Sequence, residues 1–544
     1  MKKALYSFAA VLVGLAAVSC SSVEKMAKQA ENVIVKCNPE VLELIGGTIE
    51  PTVTVTYPKG YFQPKAILKV TPVIVYEGGE EAMEPLYYQG EGVKDNNKTV
   101  AKDGATITEK LCFNYKPGME KSYLELRGIA TIRKKSANLP SKKVADGLNT
   151  TCLLVKKDGT VSYKADNYQA FISQTAEGQI LYTINSADVR GKELKSQSIK
   201  DFQNALDEIN ANERKTLKGT EVVAYASPDG GQDLNSKLSD RRAASAEKAW
   251  GKVVKGHEAS DPEVKSIGQD WEGFQELVSK SDIEDKDLIL RVLSMYSDPA
   301  VRESEIKNMS EVYSELKGGV LPELRRARFI ANVEFKNYTT EELKALIEDN
   351  IDILDEEALL HSATLVKDAA KKIEIYEKAI SKFNSARAQF NKGVALLEQD
   401  KVDAAANAFA KCDAADPDVK NAKGVIALRK GDLNGAAAIF KSISTCDAKA
   451  NLGVINILQG DYAQAEKNLE NACCFNKALS LILNNKLDKA EAAIKCQCPE
   501  SNYLRAIIAA RKGNADQAKA CLEKAKACPE LAKRAEKDIE FAAI

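Results

Sequence analysis

The chain has 544 residues, with 77 Lys and Arg against 78 Asp and Glu, and only two histidines, His257 and His361. Such a length predicts about three domains, and a net charge of −1 lacks the basic field that a general nucleic-acid binder carries. Two histidines far apart in sequence give little material for zinc, Ser-His-Asp or Cys-His chemistry. No nucleophile–base pair, cofactor motif or metal-ligand spacing stands out, so a non-enzymatic protein without cofactor is expected.

In chain order, Met1 to Ser22 reads as a processing signal. Lys2-Lys3 form a basic region, and Ala4 to Val18 an apolar stretch too short to span a membrane comfortably. Ala17-Val18-Ser19-Cys20 resembles a bacterial lipobox. That resemblance implies that residues 1–19 are removed as a lipoprotein signal peptide and that Cys20 carries the lipid. Several acyl chains hold a membrane far more firmly than the single chain that binds only marginally. No other stretch approaches the roughly 18 apolar residues of a membrane helix. No acidic run follows Cys20, only Ser21-Ser22-Val23-Glu24-Lys25, so the periplasmic face of the outer membrane is expected rather than the cell surface. Residues 20–31 read as a linker.

Residues 32–178 are strand-like. Thr52 to Tyr57 and Lys69 to Tyr76 alternate polar and apolar, as do Tyr123 to Arg127 and Ala130 to Ile132. Pro72 pushes its strand toward an edge or a bulge. Turns at Pro58-Lys59-Gly60, Gly78-Gly79, Asp103-Gly104 and Pro117-Gly118 separate these runs, which predicts a β-sandwich to about residue 132. A basic loop follows. Leu153-Leu154-Val155 and Val161-Ser162-Tyr163 flank Asp158-Gly159, a hairpin signal.

Residues 179–338 form a central α/β domain. Ser198 to Ile209 reads as an amphipathic helix, and Ile180 to Asn185 is similar to the first strand of the family that the stretch after it resembles. Val222 to Ala226 is a short apolar run, Ser227-Pro228-Asp229-Gly230 a turn, and a helix follows, capped by Asp233 or Asn235, with Leu234, Leu238 and Ala246 on one stripe. Arg326 to Phe335 alternates as the closing strand. Trp271 to Leu316 reads as inserted helices, with Ser281 or Asp282 as a cap and a break at Asp298-Pro299. The stretch Glu221 to Trp250, with Asn235-x-x-Leu238-Ser239-x-Arg241-Arg242-Ala243, resembles the core of OmpA-like domains. In that family an Asp after the strand and the second Arg of the pair grip the diaminopimelate of peptidoglycan. The resemblance implies peptidoglycan contact by Arg242, with Asn235 beside it. The slot of the family's Asp falls on Ser227, with Asp229 two residues on as a stand-in. A hydroxyl in place of a carboxylate leaves the ligand's positive end unpaired, so weak wall binding or none is expected.

Residues 339–544 form an array. Small residues recur in pairs twelve apart: Gly393 and Ala405, Gly424 and Ala436, Gly453 and Ala465, Ala478 and Ala490, Ala506 and Ala518. Each second member is followed four residues on by Phe409, Phe440, Leu469, Ile494 or Leu522, and Tyr376, Ala379 and Phe383 repeat the second half upstream. This pattern is similar to tetratricopeptide repeats, in which small residues let antiparallel helices approach closely. It implies an α-solenoid that folds on its own and recruits a protein partner; the repeats are shorter than the usual 34 residues or so, with trimmed helices or linkers. Eight of the 12 cysteines lie in the array, where disulfides or buried thiols between repeats are expected. The fold class expected is multidomain α+β: an N-terminal β-sandwich, a central OmpA-like α/β domain with a helical insert, and the solenoid. The expected role is a lipid-anchored scaffold, or an accessory or assembly factor of an envelope machine that does not touch peptidoglycan.

Overall fold

The computed structural model describes residues 22–283, 285–472 and 474–544. Cys20, the signal peptide before it and Cys473 lie outside the described residues. The chain divides into two compact units: residues up to Lys164 together with Ser385–Ile544, and Ala165–Asn384. The boundary after residue 338 expected from sequence therefore does not separate the array as a whole. Its larger part shares a unit with the N-terminal strands.

In the first unit, Ile34–Asn38, Thr52–Tyr57 and Ala105–Lys110 form a three-stranded antiparallel sheet. A seven-stranded sheet is built on the pair Ala66–Tyr76 and Ser122–Ile132. The two sheets share one apolar core, with Tyr57, Phe62, Leu68, Tyr88 and Ala130 buried in it. The stretch expected as a linker is in part a helix, Ser22–Lys28, because Val23 and Met26 are buried in that same core. Pro72 sits in a central strand rather than at an edge. Its carbonyl accepts from Met83, and its missing N–H faces the gap between two short partner strands, Gly79–Ala82 and Leu86–Gly90, where no ladder bond is lost.

Five helix pairs follow from Ser385: 386–398 with 402–409, 417–429 with 433–441, 446–458 with 462–468, 474–483 with 487–493, and 499–511 with 515–525. The small–small pattern is explained by contact. A Cβ on Gly393 would lie 2.5 Å from Phe409, one on Gly424 2.4 Å from Phe440, and one on Gly453 2.5 Å from Leu469. The turns within pairs also follow the sequence. Gly431, Gly460 and Gly513 take positive φ, and Asp432, Asp461 and Asn514 cap the next helix through its first free N–H groups. In the other two pairs Asp400 and Asn485 take the left-handed position, and Lys401 and Lys486 stand where the cap belongs, without a side-chain cap bond. Of the two expectations for the array cysteines, disulfides or buried thiols, five described ones fall on the thiol side, though none is fully buried. Cys446 is exposed, and Cys412, Cys498, Cys521 and Cys528 are half-buried free thiols.

The second unit holds a four-stranded sheet ordered Phe171–Leu181, Arg326–Lys336, Lys215–Ala226, Glu263–Gln269, with only the last pair parallel. Helices Gln197–Ala211 and Gln232–Val253 bury Phe202, Leu206, Ala246 and Trp250 against Val222, Ala224 and Phe329. The first strand ends at Leu181, so residues 182–185 form a loop rather than the strand expected there. Leu234 is exposed, unlike Leu238 and Ala246. The insert has its own core around Phe274, Ile289 and Leu293. There the break expected at Asp298-Pro299 separates helix Lys286–Met295 from Pro299–Asn308, which Asp298 caps, while Ser281 ends a helix rather than opening one. This unit also contains the pair Glu356–Leu365 and Ala369–Phe383, in which Tyr376 and Ala379 are buried.

Gly424→Ala is expected to destabilise the first unit by about 1–3 kcal/mol, since the new methyl must displace a fully buried phenyl ring. Urea unfolding should show the midpoint falling at unchanged slope.

Candidate functional site

Residues 155–164 do not form a hairpin. They run as a single extended strap along the first helices of the five pairs, and asparagines from those helices hold its backbone. Asn476 accepts from the Lys156 N–H at 2.9 Å and donates to the Lys156 carbonyl at 2.9 Å. Asn451 does the same at Thr160, at 2.6 and 2.8 Å, and Asn421 adds a second bond to that carbonyl at 2.9 Å. Asn391 closes the same two-bond pattern on Lys164, at 2.7 and 2.9 Å. The strap thus runs opposite to the repeats, its early residues on the late pairs. Asp447 accepts from the Ser162 N–H at 2.7 Å, and Arg429 donates to the Asp158 carbonyl at 2.6 Å.

Side chains add charge selection. Lys164 Nζ lies 2.8 Å from both Asp416 and Asp418 and stands over the Phe390 ring. Burial alone would lower the Lys164 pKa, but hydrogen bonds to these two aspartates raise it above the usual lysine value. Lys156 pairs with Glu500 at 3.3 Å and stands over Phe475. Gly159 has φ +72°, and a Cβ there would lie 2.7 Å from Val425, so this position admits only glycine.

The strap's N-terminal end is tied down by the far end of the array. Glu540 accepts from Asn149 at 2.9 Å and Thr151 at 2.7 Å while pairing with Arg511, and Arg534 donates to the Thr150 carbonyl at 2.8 Å. The asparagines were not singled out in the sequence. The signal was available: an Asn recurs inside the first helix of every pair, at 391, 421, 451, 476 and 502, where helix propensity and burial both disfavour it. Only Asn502 turns away, to the carbonyls of Gln497 and Cys498.

The second unit gathers the other residues marked from sequence. Arg242 is completely buried. Its guanidinium donates to three backbone carbonyls, of Ser186 at 3.0 Å, Tyr225 at 2.9 Å and Thr183 at 3.2 Å, and stacks over the Tyr182 ring. Burial lowers its pKa to about 10. Asn235 is no cap. Its amide donates to the Ser227 and Gly230 carbonyls at 3.0 and 2.8 Å and shapes the turn. The Ser227 hydroxyl donates to Asp229, which pairs with Arg325 at 3.2 Å. Asp229 therefore has a cation of its own in Arg325, which sequence reasoning passed over. Among the described residues, no cluster of three or more His, Cys, Asp or Glu is arranged to hold a metal ion.

The tetratricopeptide repeat family model matches residues 386–419 and 499–527. No curated protein matches the chain. Among solved structures, it is similar to a tetratricopeptide repeat protein from Parabacteroides merdae ATCC 43184, with 15% identity over 37% of this chain and 91% of that one and a TM-score of 0.29. Pseudomonas aeruginosa pilF matches with 15% identity over 37% of this chain and 96% of that one, TM-score 0.26. Yeast Tom70 matches with 14% identity over 56% and 65%, TM-score 0.23. The tetratricopeptide match thus falls on the first and last of the five pairs, and such repeats suggest protein interaction.

Replacing Arg242 by Met would leave the carbonyls of Thr183, Ser186 and Tyr225 short of their donors. At about 1–3 kcal/mol for each unsatisfied buried group, the variant should lose at least about 3 kcal/mol in chemical denaturation.

Proposed function

We propose that this protein is a non-enzymatic, lipid-anchored scaffold of the bacterial envelope whose repeat groove takes an extended segment of protein. The observation that carries the reading is the asparagine ladder. It pairs with the N–H and C=O of every fourth strap residue and so grips backbone largely irrespective of side chain. The lipobox-like Ala17 to Cys20 supports the anchor, with the outer membrane's periplasmic face as its place.

Of the two roles for the central domain, spacer is favoured over wall binder. The Arg242 guanidinium is spent on three carbonyls and Asp229 is paired with Arg325, so neither offers a diaminopimelate group a free fork or counter-charge. This supports the reading as an accessory or assembly factor whose partner is protein.

Two measurements test this. Cys20→Ser should abolish palmitate labelling and move the protein from the membrane to the soluble fraction; retention in the membrane would exclude the anchor. Photo-crosslinkers placed in cells at positions facing the groove should capture a partner chain, while purified protein should stay in the supernatant when peptidoglycan is pelleted. Pelleting that Asp229→Ala abolishes would restore the wall-binding role.

A further inference from the structure

The groove proposed to take a partner segment is already filled, and its occupant looks like a ligand rather than a core element. Of residues 155–164 only Val155 is buried, whereas Lys157, Asp158, Thr160 and Ser162 are exposed. The segment has no secondary structure of its own. It is held by polar bonds, each worth a net amount of only about 0.5–1.5 kcal/mol, with little of the apolar burial that makes an element irreplaceable. What the groove selects is also readable. It needs a cation at the Lys156 position facing Glu500, a residue without a Cβ at Gly159 against Val425, and a second cation at Lys164 between Asp416 and Asp418. Asp158, Thr160 and Ser162 are held through the backbone.

We propose that residues 156–164 are an exchangeable internal occupant that closes the groove. Its external ligand is an extended basic segment of a partner protein with the same layout: a cation, a glycine three residues on and a second cation eight residues on. The inference rests on the reading of the groove as a protein-binding site and adds gating to it. A tethered strap competes at roughly millimolar effective concentration, so an incoming segment sees only the open fraction of molecules and its apparent affinity falls by that fraction.

Gly159→Val should empty the groove without altering any groove residue, because the new side chain meets Val425 and the backbone there is left-handed. The probe is a fluorescent synthetic peptide of wild-type residues 153–166, titrated into full-length protein and followed by anisotropy. The variant should bind at least tenfold more tightly than wild type. Adding Asn451→Ala should reverse the gain by tenfold or more, and a peptide with both Lys156 and Lys164 changed to Glu should bind at least tenfold more weakly. Equal affinity in wild type and Gly159→Val would overturn the gating while leaving the groove a peptide site. Failure of the folded variant to bind any peptide would overturn both the gating and the proposed function. Should Gly159→Val not fold, hydrogen exchange of the wild type decides. The Thr160 and Lys164 amides are expected to exchange well before the core of the repeat helices, and exchange only on global unfolding would show the strap to be a fixed part of the fold.

Discussion

An irregular peptide segment laid against a protein surface must find partners for its N–H and C=O groups, and a helix array has no backbone to spare for it. The asparagine amide resolves this, because it carries one donor face and one acceptor face in a single plane and so pairs with both groups of one residue. Asn476, Asn451 and Asn391 each do so. Much of the first unit depends on this. The strap, the Glu540 bonds to Asn149 and Thr151, and the approach of Gly46 to the Gln459–Gly460 turn join the N-terminal strands to the repeats as one body. The expectation of an array contacting mainly itself misses these joints.

What was legible in the sequence is what local physics writes. The small residues of the repeats are visible because Gly424 and Phe440 must touch, and the turn signals Gly431-Asp432 and Gly460-Asp461 because one residue needs positive φ and the next a capping oxygen. The strand over residues 215–226 and the helix over 232–253 are present too, written in the apolar run Val222 to Ala226 and in the buried stripe of Leu238 and Ala246.

What was not legible depends on partners hundreds of residues away. Asp158-Gly159 looked like a hairpin turn, and Gly159 does take positive φ, but the chain on either side pairs with helices instead of with itself. The role of Arg242 was hidden likewise. Sequence shows a guanidinium on a helix, while two of the three carbonyls that consume it, those of Thr183 and Ser186, belong to a loop, and Thr183 falls in the stretch expected as strand. The helix at Ser22–Lys28 needed the knowledge that Val23 and Met26 had a core to enter.

The strap also sets a timetable for folding. Lys156 and its partner Asn476 are separated by 320 residues, so during synthesis the strap emerges on the order of tens of seconds before the last asparagine that receives it. Through that interval the strand-rich part lacks Glu540 and the groove is incomplete. A chain arrested before residue 391 would present residues 156–164 without any of the asparagines that hold them: polar, rich in lysine and without an apolar run. Such a segment waits in solvent with little tendency to aggregate, and its composition suits the delay as well as the groove.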